Sequence, residues 1–311
     1  FWVAGRGRKT TKGYFLGDKR LPWYVVATSM IAADISSDDL IANAGGAFSP
    51  FGDITTLMVW QKGKLDFFEF FALFLPSLLN WLVPAAFMVL AVPNLKPTAP
   101  PERVFGKPGM MGVVVLFAVA IGLAVSFKNF LNLPPALGMM LGLGFLQMFA
   151  YYLSRTGYRR SDSDMVLDSF HQVQRVEWDT LFFFFGIIFA VGGLGVLGYL
   201  SFASELLFVG LGPTYANVII GMLSAVVDNI PLMFAVLTMD PPMSDGQWLL
   251  ITLTCGTGGS LLSIGSAAGV ALMGQARGVY NFSSHLKWTW AVALGYIAAI
   301  FAHLWINAAL F

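Results

Sequence analysis

The chain has 311 residues, 57% of them hydrophobic and only 11% charged, against roughly 45–50% apolar and ~25% charged in a soluble domain. Its mean hydropathy is +0.72, and apolar runs of about 20 residues recur along it, so it reads as an all-α polytopic membrane protein whose main partner is the lipid bilayer. The net charge of +1, with the basic residues in loops, argues against a nucleic-acid partner, and a single cysteine, Cys255, excludes an internal disulfide.

Phe1–Arg20 is basic and glycine-rich and shows no cleavable signal peptide; with no initial Met, the chain is expected to be a fragment or a trimmed form. Leu21–Ala33 is apolar but too short to span, and Asp34, Ser36, Ser37, Asp38 and Asp39 end it. Ile41–Trp60 is an apolar stretch interrupted by Gly45-Gly46, Pro50, Gly52 and Asp53. Phe67–Val92 is a span containing Pro76 and Pro84, and Asn94–Lys107 is a proline-rich loop. Met110–Phe127 and Leu133–Leu153 are two further spans joined by a tight turn. Ser154–Trp178 is the longest polar segment; Leu181–Leu200 is a glycine-rich span and Glu205–Gly212 a short linker. Tyr215–Met239 is apolar with Asp228-Asn229-Ile230-Pro231 at its middle. Trp248–Met273 is a second interrupted stretch, and Trp288–Ala309 is the final span.

The two interrupted stretches share a pattern: Gly45-Gly46 and Gly258-Gly259 are each followed, after five residues, by a further glycine, Gly52 and Gly265. Aligned on these glycines, Asp53 falls on Ser266 and Pro50 on Ser263. Paired interruptions in two halves of a membrane protein point to a transporter's binding site. Loop charge supports the same topology. Lys96, Arg103 and Lys107, and Arg155, Arg159, Arg160 and Arg175, can all be cytoplasmic. Arg277 and Lys287 join them only if Tyr215–Met239 is a re-entrant hairpin; the C-terminus is then outside.

The candidate site residues follow from cost. Carboxylates at membrane depth are expensive and usually line ion paths, and Asp228 with Asn229 offers hard oxygen ligands to a small cation. The alternative is a structural turn in which Asp228 caps the next half-helix. Asp53 follows a helix break, where carboxylate and freed carbonyls can take a proton or a cation; the alternative is an ordinary N-cap, with Thr55 and Thr56 exposed near the interface. Asn43 suits a helix–helix hydrogen bond or a ligand role. Ser224, one turn before Asp228, and the pair Ser263 and Ser266 serve either as helix-packing residues or as ligands. Glu177 and Asp179 read as a solvated pair at the membrane boundary. Gly192-Gly193, Gly195 and Gly198 read as close helix packing. His171, His285 and His303 have no metal-ligand spacing; His285 is expected at the interface and His303 in the bundle. No phosphate loop, nucleophile elbow, haem or zinc motif is present, so the chain is not expected to be an enzyme or to need a cofactor.

Phe51-Gly52-Asp53-Ile54-Thr55-Thr56-Leu57-Met58-Val59-Trp60, Ser224-Ala225-Val226-Val227-Asp228-Asn229-Ile230-Pro231 and Gly258–Gly269 resemble the NhaD-type sodium/proton antiporters of the ion-transporter superfamily, continuously from about Ile41 to Phe311. The resemblance implies a bacterial inner-membrane protein that expels Na⁺ or Li⁺ in exchange for H⁺. It also implies two inverted repeats, each with a re-entrant hairpin and a broken helix. Its functional positions are Asn43, Asp53, Thr55, Thr56, Ser224, Asp228, Asn229, Ser263 and Ser266, with Glu177 and Asp179 at matching acidic positions. A homodimer is a further expectation. Residues 13–40 instead resemble the first core helix of sodium/solute symporters.

The expected organisation is therefore a foreign-looking head (1–40), the end of an incomplete first repeat (41–94), two spans with a cytoplasmic loop (95–178) and a second repeat (179–311), as in a fusion or truncated gene. If half the cation cage is missing, the chain is silent by itself. The rival functions are sodium-coupled solute uptake and an inactive membrane fragment that binds a partner subunit.

Overall fold

A computed structural model describes residues 47–91, 109–155, 178–262 and 282–311. The head and Asn43, the polar loop up to Glu177, and the second interrupted stretch from Ser263 through Ser266 and Arg277 lie outside the described residues. All regular structure among the described residues is helical. The helices are α1 (Ile54–Gln61), α2 (Phe74–Ala91), α3 (Met110–Leu131), α4 (Pro135–Arg155), α5 (Trp178–Val196), α6 (Tyr199–Ser204), α7 (Pro213–Leu223), α8 (Asn229–Met239), α9 (Asp245–Gly258), α10 (Phe282–Leu286) and α11 (Thr289–Ile306). Four described stretches are long and apolar enough to cross a membrane: Glu69–Leu90, Met111–Leu131, Pro135–Leu153 and Thr289–Ile306.

The chain forms two compact units. One holds α3 and α4, an antiparallel pair that turns through Asn132, in the left-handed region at φ 53°. Glycines let this pair close up: a Cβ on Gly138 would lie 2.6 Å from the backbone of Ala124, and one on Gly142 would strike Ala120. Large apolar side chains such as Met111, Phe117 and Phe130 are exposed, as a lipid-facing surface requires.

The other unit is built around α9. Nearly all of α9 is buried, including Leu249, Leu250, Ile251 and Leu253 at 0% exposure. Polar side chains tie its neighbours to it and reveal their directions. The Gln247 side chain donates to Thr214 Oγ1 (2.7 Å) and Ser224 Oγ donates to the Cys255 carbonyl (2.9 Å), so α7 runs parallel to α9. Gly221 and Gly258 permit this contact, since a Cβ on Gly258 would strike the Gly221 carbonyl oxygen. Cys255 Sγ donates to the Asn229 carbonyl (3.4 Å) at the start of α8, and Asp240, just past its end, pairs with Lys64, whose ammonium lies 5.3 Å from the Trp248 ring centroid. Helix α8 thus runs antiparallel to both. Together α7 and α8 form a hairpin with both outer ends beside the first turn of α9, the path expected for Tyr215–Met239. Each arm has 11 residues, a length of about 16 Å, roughly half of a ~30 Å hydrocarbon core.

Helix α11 runs antiparallel to α9. His303 Nε2 donates to the Gly246 carbonyl (3.0 Å) at one end, and Thr289 Oγ1 donates to the Leu261 carbonyl (3.0 Å) at the other. Pro84 inside α2 removes a helix donor, and the Asn80 carbonyl lies against Gly295 of α11, where a Cβ would come within 2.5 Å of it.

Three expectations are corrected. The span placed at Leu181–Leu200 ends at Val196: the chain turns by 83° through Leu197 and Gly198 (φ 83°), and Glu205–Val209, placed in a linker, continues the bent arm that starts at Tyr199. Of the glycines read as packing residues, Gly192 and Gly193 have no described residue within 4 Å of a built Cβ, and Gly198 makes the bend. His285, expected at the interface, is buried: its Nε2 donates to the carbonyls of Ser260 (2.9 Å) and Leu261 (3.2 Å) in the final 3-10 turn after α9.

Candidate functional site

The site forms where two half-helices begin. Residues 47–52 are non-helical and Pro50 cannot donate a helix hydrogen bond, so α1 starts only at Ile54, behind the N-cap Asp53. Phe48 against Phe74 (centroids 5.1 Å) and Phe51 against Trp60 (5.5 Å) anchor this turn. Asp53 Oδ1 accepts from the Ile54 amide (2.6 Å). Thr56 closes a capping box: its hydroxyl donates to the Asp53 carbonyl (2.7 Å) and accepts from the Asp53 amide (3.3 Å). In the second half-helix, Asp228 Oδ1 accepts from the Ile230 amide (3.0 Å), capping α8 in the same way. Pro231 sits in the first turn, where its missing N–H costs nothing.

Both aspartates are therefore N-caps, as the structural alternative holds, but these caps meet. Asn229 Nδ2 donates to Asp53 Oδ2 (3.0 Å) across 176 residues of sequence, and Thr55 Oγ1 donates to the same oxygen (2.7 Å). Asp228 lies within electrostatic reach of Asp53. The N-terminal ends of α1 and α8, each with a partial positive charge, thus face a common point beside Cys255 and Gly256. Thr55 and Thr56 are buried, at 0% and 1% exposure, not at an interface.

Depth follows from the α9–α11 pairing. Gly246 is level with His303 and Leu261 with Thr289, so Cys255 and Gly256 lie roughly one-third of the way along α11 from its N-terminal end, away from both ends of that span.

The expected residues divide into three groups. Asp53, Thr55, Asp228 and Asn229 converge. Thr56 and Ser224 are adjacent, but their hydroxyls bond backbone carbonyls, Asp53 and Cys255 respectively. Asn43, Glu177, Ser263 and Ser266 lie outside the described residues, and Asp179 is the second residue of α5. Sequence reasoning missed Cys255 and Gly256 at the site. It also missed the polar ladder that holds α7 to α9, in which Asn217 Nδ2 donates to the Gln247 carbonyl (3.0 Å) and Thr254 Oγ1 donates to the Asn217 carbonyl (2.9 Å). Among the described residues no group of three His, Cys, Asp or Glu side chains could hold a metal ion. The oxygens instead suit a weakly held hard cation: a carboxylate, an amide and a hydroxyl, the last two able to donate to a carboxylate or, once rotated, to offer an oxygen.

A protein-family profile described as Citrate transporter matches residues 40–256. Among similar proteins, "Na(+)/H(+) antiporter NhaD" of Halomonas elongata is 55% identical over 286 residues, covering 86% of this chain and 58% of that protein. The NhaD protein of Vibrio parahaemolyticus is 55% identical over 276 residues, covering 83% of this chain and 67% of that protein. "Sodium/proton antiporter 2" of Arabidopsis thaliana is 33% identical over 285 residues, covering 85% and 65%. The chain thus spans about three-fifths of the length of the curated relatives it matches, 58% for the first and 60% for the NhaD protein of Alkalimonas amylolytica. No solved structure matches it significantly. Profile and relatives both cover the half-helix N-termini just described, and by them the chain belongs to the NhaD-type sodium/proton antiporter family of the ion-transporter superfamily.

Proposed function

We propose that this chain carries a cation/proton exchange site at Asp53 and Asp228, through which Na⁺ or Li⁺ leaves a bacterial cell across the inner membrane as H⁺ enters. The observation that carries this reading is the Asn229–Asp53 hydrogen bond, which joins the caps of two half-helices inside the bundle. A capping role alone explains each aspartate but not their meeting. A carboxylate in a low-dielectric interior needs a proton, a cation or several donors. Asp53 has donors in Ile54, Thr55 and Asn229. When Na⁺ arrives, the Asn229 amide and the Thr55 hydroxyl turn their oxygens to it; when H⁺ arrives, the carboxyl is neutral and the cation leaves. Competition for one carboxylate pair couples the two flows without covalent chemistry.

Thr56 holds the cap in register and Ser224 fixes the hairpin tip to α9. Asn43, Ser263 and Ser266, which lie outside the described residues, are assigned as further oxygen ligands by their match to the family's motifs, and Glu177 with Asp179 as a solvated boundary pair. The NhaD names of the relatives support the ions assigned. Everted membrane vesicles containing the chain test the reading: adding Na⁺ or Li⁺ should dissipate a preformed pH gradient. Sodium uptake that requires an organic solute would instead favour the symport alternative.

A further inference from the structure

Several glycines of the second unit have identifiable reasons. Gly198 and Gly212 sit at positive φ, and Gly221, Gly258 and Gly295 each have a neighbour that a Cβ would strike. Gly256 has neither. It is inside α9, where glycine is destabilising relative to alanine, and its φ is not positive. Among the described residues, a Cβ built on it meets two heavy atoms within 4 Å: Asp53 Oδ2 at 3.6 Å and Thr55 Oγ1 at 3.8 Å, both at ordinary contact distance. A methyl group there would clash with no described residue. The fold would accept alanine, and the helix would gain from it. The missing side chain leaves open a space bordered by two oxygens that already share a hydrogen bond (2.7 Å).

We propose that Gly256 is a size-determining residue for the transported cation. The space its absent side chain leaves beside Asp53 Oδ2 and Thr55 Oγ1 is what lets the site take Na⁺ as well as the smaller Li⁺. This rests on the reading of Asp53 as a cation ligand. Selectivity among hard cations is set by cavity size and ligand number, and a methyl in contact with both oxygens narrows the cavity while leaving the ligands in place. Li⁺, with its shorter bonds to oxygen, fits the narrowed space; Na⁺ does not.

The test is equilibrium binding of radioactive Na⁺ to the purified full chain, with Li⁺ as competitor, for the unmodified protein, Gly256→Ala and Gly221→Ala, with thermal melting measured in parallel. For Gly256→Ala, half-saturation by Na⁺ should rise by about tenfold or more, while that for Li⁺ changes by less than about twofold. Melting should stay the same or rise. Gly221→Ala, whose Cβ would strike Thr254 and Tyr296, should lower the melting temperature and leave the Na⁺/Li⁺ ratio of any folded protein unchanged. Parallel weakening of both ions by Gly256→Ala, no change in either, or failure of that variant to fold would overturn the proposal while leaving the site at Asp53 standing. Absence of saturable Na⁺ binding by the unmodified chain would remove the site itself and the proposal with it.

Discussion

Two helical hairpins in this molecule have opposite designs. The α3–α4 pair has arms of 22 and 21 residues, each about 32 Å long and enough to cross a ~30 Å core. It closes on glycine and carries long exposed apolar side chains. The α7–α8 pair has arms of 11 residues and is stitched to α9 by Thr214, Asn217 and Ser224. A tight turn at Asn132 sends the first hairpin back after a complete crossing. The Ser224–Asp228 break turns the second hairpin back after an arm half as long. A half-length hairpin ends where a full-length one cannot, with a helix N-terminus and its capping carboxylate inside the bundle. Interrupting the helix is therefore how charge reaches the interior with its backbone groups satisfied.

This contrast can be broken by substitution. The largest effect is expected at the caps. Asp53→Asn and Asp228→Asn should each abolish Na⁺-dependent proton movement in everted vesicles while leaving melting nearly unchanged, because Asn caps a helix as well as Asp does. Full exchange by either variant would show that its carboxylate is scaffolding. Next is packing. Gly258→Ala would place a methyl on the Gly221 carbonyl and should destabilise by about 1–3 kcal/mol. Gly122→Ala in α3, with no described residue within 4 Å of the added carbon, should be neutral or stabilising by up to about 1 kcal/mol. Equal melting shifts would mean that the two hairpins are held in the same way. Asn229→Ala should weaken Na⁺ binding by about 1–3 kcal/mol, because the cation loses the amide oxygen that Asn229 would turn to it. The smallest effect belongs to the clip at the open ends of α1 and α8. Lys64 and Asp240 are 27% and 59% exposed, so Lys64→Met should cost at most about 1 kcal/mol in chemical unfolding, less in high salt.

Much of the short hairpin was legible in the sequence, because Asp228-Asn229-Ile230-Pro231 combines a charge, an amide and a helix breaker where an apolar run would otherwise continue. The capping role of Asp53 was legible for the same reason. The ladder on α7 was available but unread: Thr214, Asn217, Gly221 and Ser224 recur at helical spacing, a polar and small stripe through an apolar segment. The bend at Gly198 was hidden because four nearby glycines look alike in sequence, and only backbone conformation tells a turn from a packing contact. His285 looked interfacial beside Lys287, since a need for a donor at the end of α9 is created by the fold. The parts played by Cys255 and Gly256 were not readable at all. They arise from a meeting of residues 53, 229 and 256, which no local pattern encodes.

The central claim is that α7 and α8 enter and leave on one side of the membrane, so that Asp228 and Asn229 meet Asp53 inside it. In a Cys255→Ser background, cysteines at Thr214 and Asp240 are probed one at a time with a membrane-impermeant thiol reagent, in intact cells and in everted vesicles. The account predicts that both positions label from the same side. Labelling of the two positions from opposite sides would make the segment an ordinary crossing and contradict the hairpin on which the site depends.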